Sequence, residues 1–80
     1  MTNLEKYREV FAEALELEMD KINENLEYSK CPEWDSVGHM NLITMLEDKF
    51  EIMFDQDDML EFSSYEKGKE ILKKYNILIG

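Results

Sequence analysis

Apolar residues recur at helical steps through almost all of this chain, and only 80 residues are available to bury them. Leu4, Tyr7, Phe11, Ala14 and Leu15 share one face of a helix expected over about 4–17. Leu42, Ile43, Leu46 and Phe50, with Met45 beside them, make the stripe of a second helix over about 36–50. Ile52-Met53-Phe54 links back to the core, and Met59, Leu60 and Phe62 mark a short helix over about 57–62. Tyr65, Gly68, Ile71, Leu72 and Tyr75 line one side of a last helix over about 65–75. No run alternates with the period of a strand. The expectation is an all-α single domain over 1–80, a small antiparallel helical bundle of three longer helices and one short one.

Local signals place the ends. Thr2 or Asn3 can cap the first helix. Ser63 with Glu66 reads as a capping box for the last, with Ser64 a competing cap. Gly68 weakens that helix by about 1 kcal/mol relative to alanine and lets a neighbouring backbone come close. Residues 18–35 read as a long loop, tacked down by Met19, Ile22, Leu26 and Tyr28. Pro32 pushes Cys31 toward an extended conformation, and loops of this length inside small domains are often functional.

Charge narrows the partners. Nineteen acidic and nine basic residues leave a net charge of −10. Such a chain is repelled by a nucleic-acid backbone and attracted to a basic protein surface. Disorder, the other reading of high charge, does not fit 44% hydrophobic residues at helical spacing. Glu5, Glu9, Glu13 and Glu16 repel one another at i,i+4 and read as a solvated face rather than a metal site. The charge is polarised: Glu33 to Glu66 holds ten acids and one base, Lys49, whereas Lys67, Lys69, Lys73 and Lys74 cluster near the end. Cys31 is alone, so no internal disulfide staples the fold, and a reducing cytoplasm suits a single thiol. The opening Met-Thr-Asn-Leu-Glu-Lys has no basic region leading into an apolar run, so no secretory signal is expected. No apolar run approaches a membrane span, so no membrane insertion is expected either.

Function converges on Ser36, which follows Trp34 and Asp35 and opens the second helix. Serine at such a place is most often an N-cap. A second reading pairs it with His39, within i,i+3 reach, as a nucleophile and its base. That reading also needs an orienting group, an oxyanion hole and a dry pocket, for which a chain this short with one histidine has little room. A third makes Ser36 a modification site, because a phosphate ester at a helix N-terminus meets free N–H groups and the positive end of the dipole. Phosphorylation and a phosphodiester satisfy this equally. Val37, Met40 and Thr44 lie about 100° or more round the helix from its core stripe, so apolar surface is expected beside Ser36.

Pro32-Glu33-Trp34-Asp35-Ser36-Val37-Gly38-His39-Met40-Asn41-Leu42-Ile43 resembles the attachment segment of acyl carrier proteins, whose signature is Asp-Ser-Leu opening the second helix. The likeness extends to Leu46-Glu47-Asp48-Lys49-Phe50, to the short helix that follows, and to length, helix order and acidity. It implies that Ser36 carries 4′-phosphopantetheine, transferred from coenzyme A by a separate magnesium-dependent phosphopantetheinyl transferase, with Asp35 helping to position that reaction. The working thiol would belong to the arm, and Cys31 would be an incidental, partly exposed loop thiol. The resemblance further implies a monomeric, non-catalytic cytoplasmic carrier of a thioester-bound acyl or related group. Its partners would be acyl- or aminoacyl-loading ligases and acyltransferase or synthase enzymes, whose basic and apolar patches meet Val37, Met40, Glu47 and Asp48. An aminoacyl or peptidyl carrier of the same fold and an unmodified acidic helical adaptor stay open beside it. Val37 replaces the family's usual leucine. Gly38 stands where an acid is common and Asn41 where a glutamate often lies, and both remove negative charge from the partner-facing helix. Trp34 before Asp-Ser resembles stand-alone carriers of specialised pathways. His39 is left as a contact to the arm or a partner, or as an ordinary surface histidine.

Overall fold

The computed structural model of the protein describes residues 2–79. Thr2 starts the fold with a complete capping box: its hydroxyl accepts the Glu5 N–H at 3.1 Å, and the Glu5 carboxylate accepts the Thr2 N–H at 3.4 Å. The first helix, α1, spans Asn3–Leu15. It stops two residues short of the expected 17 because Glu16 takes a left-handed conformation, φ 54°, and the Leu17 N–H turns back to the Ala12 carbonyl at 3.0 Å. The helices α2, Ser36–Phe50, and α4, Tyr65–Lys74, are followed by the same device. Glu51 and Asn76 are left-handed there, and Ile52 and Ile77 reach back to Glu47 and Leu72. In each case the residue after the left-handed one is apolar and packs on the core. The short helix α3 spans Gln56–Glu61, one residue earlier than expected. These four α-helices, with no strand among the described residues, make the chain all-α. None of the described helices is long and apolar enough to cross a membrane.

The interior is built on aromatic rings. Phe11 is fully buried and meets Tyr7, Trp34 and Tyr65 edge-on, with centroids 4.9, 5.4 and 5.5 Å away. The Tyr7 hydroxyl, inside this cluster, donates to the Tyr65 carbonyl at 2.6 Å, so its burial leaves no donor unpaired. Leu42, Ile43 and Leu46 bring α2 against α1, and Ile71 and Leu72 close the far side from α4. The α1 stripe differs from the expected one in two places: Val10 is buried, and Leu4 is only half-buried. A Cβ at Gly68 would overlap the Tyr7 hydroxyl and the Phe62 ring, coming within 2.7 Å of Phe62 Cε1. The close approach this glycine permits is thus by two side chains, not by a backbone.

Residues 18–35 are more organised than a loop held by a few side chains. They contain two single 3₁₀ turns, Met19–Lys21 and Tyr28–Lys30. Ile22, Leu26 and Trp34 are buried, while Met19 and Tyr28 stay largely exposed. The segment is also stitched to the connection between α3 and α4: the Tyr28 N–H donates to the Ser63 carbonyl at 2.9 Å, and the Tyr65 N–H to the Leu26 carbonyl at 3.0 Å. The cap of α4 is Ser64, the residue paired with Glu27 in this bridge, and its hydroxyl accepts the Lys67 N–H at 3.0 Å. The expected Ser63–Glu66 capping box does not form.

Candidate functional site

Pro32 occupies the second position of a tight turn closed by the Trp34 N–H on the Cys31 carbonyl, 3.0 Å. The turn delivers Asp35 in an extended conformation, and its Oδ1 accepts the Gly38 N–H at 2.8 Å. Asp35 is therefore the N-cap of α2, and the expectation that Ser36 caps is corrected. Ser36 is the first helical residue, exposed, with its hydroxyl outside the capping bond. Of the first-turn donors, Gly38 is taken by the cap and His39 by the Asp35 carbonyl, so the N–H groups of Ser36 and Val37 are left at the open helix end.

Gly38 faces inward. A Cβ there would lie 2.7 Å from the Glu33 carbonyl and 3.0 Å from Leu15 Cδ2. The lack of an acid at this position is thus a packing requirement of the turn against α2, and it takes no charge from a partner-facing surface. Asn41, by contrast, is exposed.

His39 is half-buried, and both of its ring nitrogens are engaged inside the fold. The indole Nε1–H of the buried Trp34 donates to Nδ1 at 3.0 Å, and Nε2 lies 2.8 Å from the Met59 carbonyl. An indole N–H can only donate, so Nδ1 must accept and Nε2 carries the proton given to Met59. Both nitrogens are thereby engaged away from Ser36, and the Ser36–His39 pair is not assembled as nucleophile and base.

Ser36 opens onto a groove of about 340 Å³, lined also by Tyr28, His39, Met40, Leu60, Phe62 and Ser63. Its walls come from α2 and α3, and its rim is apolar: Met40 is 57% exposed and Leu60 77%. Val37, 70% exposed, lies beside a separate cleft bordered by Ala14, Glu16, Asp35 and Asn41. Val37 and Met40 thus expose apolar surface on two sides of the Ser36 hydroxyl. Asp48 is exposed. Glu47 is half-buried, and its Oε2 accepts the Phe54 N–H at 2.9 Å, so one carboxylate oxygen holds the link between α2 and α3. Tyr28, Leu60, Phe62 and Ser63 are the groove residues that sequence reasoning did not assign to the site. In the sequence Leu60 is one of three apolar residues of the short helix, and nothing local marks it as the one that faces outward.

The base of α3 is fixed by charge. Asp58 is buried, and its carboxylate accepts from the Tyr75 hydroxyl at 2.7 Å and from Lys74 Nζ at 2.9 Å. The Tyr75 hydrogen bond first, and the Lys74 ammonium second, hold the Asp58 carboxyl below its ordinary value. The Tyr75 oxygen also accepts the Asp55 N–H at 2.9 Å. Cys31 lies outside the groove, where partial burial pushes its thiol up and its Sγ sits 3.5 Å from a Glu33 carboxylate oxygen.

No protein-family model matches this chain, and no curated protein matches it. What the site can do therefore rests on its chemistry: one free hydroxyl at the start of a 15-residue helix, two unpaired N–H groups beside it, and apolar surface flanking it.

Proposed function

We propose that the protein is an acyl carrier, holding an acyl or related group as a thioester on a 4′-phosphopantetheine arm attached to Ser36 and presenting it to partner enzymes. The observation that carries this reading is that Asp35, not Ser36, caps α2, which leaves the serine hydroxyl exposed and unengaged by the cap. Residues at the site suit the group. The N–H groups of Ser36 and Val37 and the positive end of α2 favour a phosphodiester at this oxygen. The groove beside it offers apolar surface along which an arm can lie. When bound, the arm supplies the thiol that bears the cargo. In the same reading the helices form the antiparallel bundle of that family, Asp35 holds the serine in place for loading, and the modifying enzyme is a phosphopantetheinyl transferase.

Docking falls to Val37, Met40 and Asp48, with Glu47 contributing its remaining oxygen. Partners with basic rims, such as loading ligases, acyltransferases or synthases, meet the exposed acids of α2 and α3 through ion pairs contributing about 0.2–1 kcal/mol each. A few such pairs plus two apolar contacts support roughly micromolar affinity, about 8 kcal/mol, which suits brief docking by several enzymes. Tethering then raises the effective concentration of the cargo at each of them.

Intact-mass spectrometry after incubation with coenzyme A and a broad-specificity transferase tests the proposal. A carrier of acyl, aminoacyl or peptidyl groups gains one phosphopantetheine, and Ser36→Ala gains none. A folded protein that gains nothing with several transferases is an acidic adaptor instead. Ester hydrolysis by the purified protein, lost on Ser36→Ala, would point to an enzyme.

A further inference from the structure

The imidazole of His39 sits where three parts of the fold meet: the 31–35 turn through Trp34, α2 itself, and α3 through Met59. Its position matters because α3 is poorly anchored by packing. Asp58 is the only buried residue of this six-residue helix, Met59 packs against the core only in part, and Leu60 points into solvent. The Met59 carbonyl is among the last four of α3, which find no partner inside so short a helix. The His39 Nε2–H supplies that partner, and the Trp34 indole fixes the ring from the other side. Trp34 lies roughly in the plane of the imidazole, 22° between planes, as an edge-to-edge N–H···N bond requires, while Tyr28 and Phe62 meet it edge-on. Two consecutive residues in the middle of α3 thus carry its ties, Asp58 to α4 and Met59 to α2 through His39.

We infer that His39 is a positioning residue: by holding the Met59 carbonyl it sets the spacing between α2 and α3, and with it the shape of the groove beside Ser36. Met40 on one wall and Leu60 on the other then form a single docking surface of fixed geometry. The functional consequence rests on the carrier reading, whereas the tether itself does not. A partner that grips both walls loses affinity when the tether goes, although neither its contacts nor Ser36 has changed.

Amide hydrogen exchange on the unmodified full chain tests the tether in wild type, His39→Phe, His39→Ala and His39→Gln. Phenylalanine keeps a ring in the site without either nitrogen, and glutamine keeps one donor and one acceptor. Amides of residues 59–62 should exchange about tenfold faster in the Phe and Ala variants, with the interiors of α1 and α4 unchanged and Gln partly restoring protection. Wild-type protection in His39→Phe would overturn the inference, because packing alone would then hold α3. Equal acceleration in every helix would overturn it too, as a general loss of stability. In transferase assays on Ser36, His39→Phe should raise KM several-fold at unchanged kcat. An unchanged KM would remove the docking role. Failure to modify wild type would count against the carrier reading, leaving the exchange data to decide the tether alone.

Discussion

The starts of α2 and α4 use the same local device for opposite ends. Each is capped by a short polar side chain that accepts the N–H three residues on, Asp35 from Gly38 and Ser64 from Lys67. Each carries a buried glycine within its first turn or so, Gly38 and Gly68, where another part of the fold presses in. The first helical residue is where they diverge. In α4 it is Tyr65, buried against Tyr7 and Phe11. In α2 it is Ser36, exposed and flanked by exposed Val37 and Met40. One helix start completes the core, and the other leaves its face free. Of the two, the start of α2 is the one whose first two residues face solvent.

Substituting the two glycines should separate these regions most sharply. Gly68→Ala forces a methyl into the Tyr7–Phe62 contact and should destabilise by about 2–3 kcal/mol in urea unfolding. Gly38→Ala meets the Glu33 backbone carbonyl at one point, so the turn must move and a net loss of about 1–2 kcal/mol is expected, together with faster exchange of the Trp34 indole N–H. Equal losses at the two sites would break the contrast.

Acid tests α3 next. Because Asp58 is held below its ordinary value, its contribution is fully present above about pH 4 and is lost as pH falls through the depressed folded value. Asp58→Asn, which leaves the Tyr75 hydroxyl poorly paired, should cost about 1–3 kcal/mol at neutral pH and flatten this part of the acid limb in thermal melts. An unaltered acid limb would mean that Asp58 does not anchor α3. Removing the caps should be milder and alike in stability, about 1 kcal/mol each for Asp35→Ala and Ser64→Ala. Only the first should also slow loading of Ser36.

The smallest stability effect belongs to the exposed face. Met40→Ala should change unfolding by less than about 0.5 kcal/mol yet weaken partner binding measured by calorimetry. That binding should also fall with added salt, since exposed Asp48 of α2 and Asp57 and Glu61 of α3 carry the steering. A salt-insensitive interaction would remove the electrostatic part of the docking picture.

The helical period and the four helical segments were legible because both are local: apolar stripes and short polar caps lie within a few residues of one another. Other features depend on partners far along the chain. Asp58 sits in the acidic run Asp55-Gln56-Asp57-Asp58 and looks like its neighbours until Lys74 and Tyr75, 16 and 17 positions away, fold onto it. Trp34 stands alone among polar residues, and its burial follows from Phe11 and Phe62 closing round it. The choice of Ser64 over Ser63 as a cap goes with the bridge that pairs Ser64 with Glu27, far back along the chain. The end of α1 was misplaced because a glutamate, not a glycine, adopts the left-handed stop. At the site, the Asp-Ser order showed where to look. Which of the two residues caps, and which is left free, needed the geometry of the preceding turn.

Peptide mapping after transferase treatment tests the central claim most directly, because Ser36 and Ser63 line the same groove and only one of them starts a helix of more than a few turns. Phosphopantetheine should be found on Ser36 alone in wild type and nowhere in Ser36→Ala. A folded wild-type protein that stays unmodified, or an adduct on Ser63 that persists in Ser36→Ala, would contradict it.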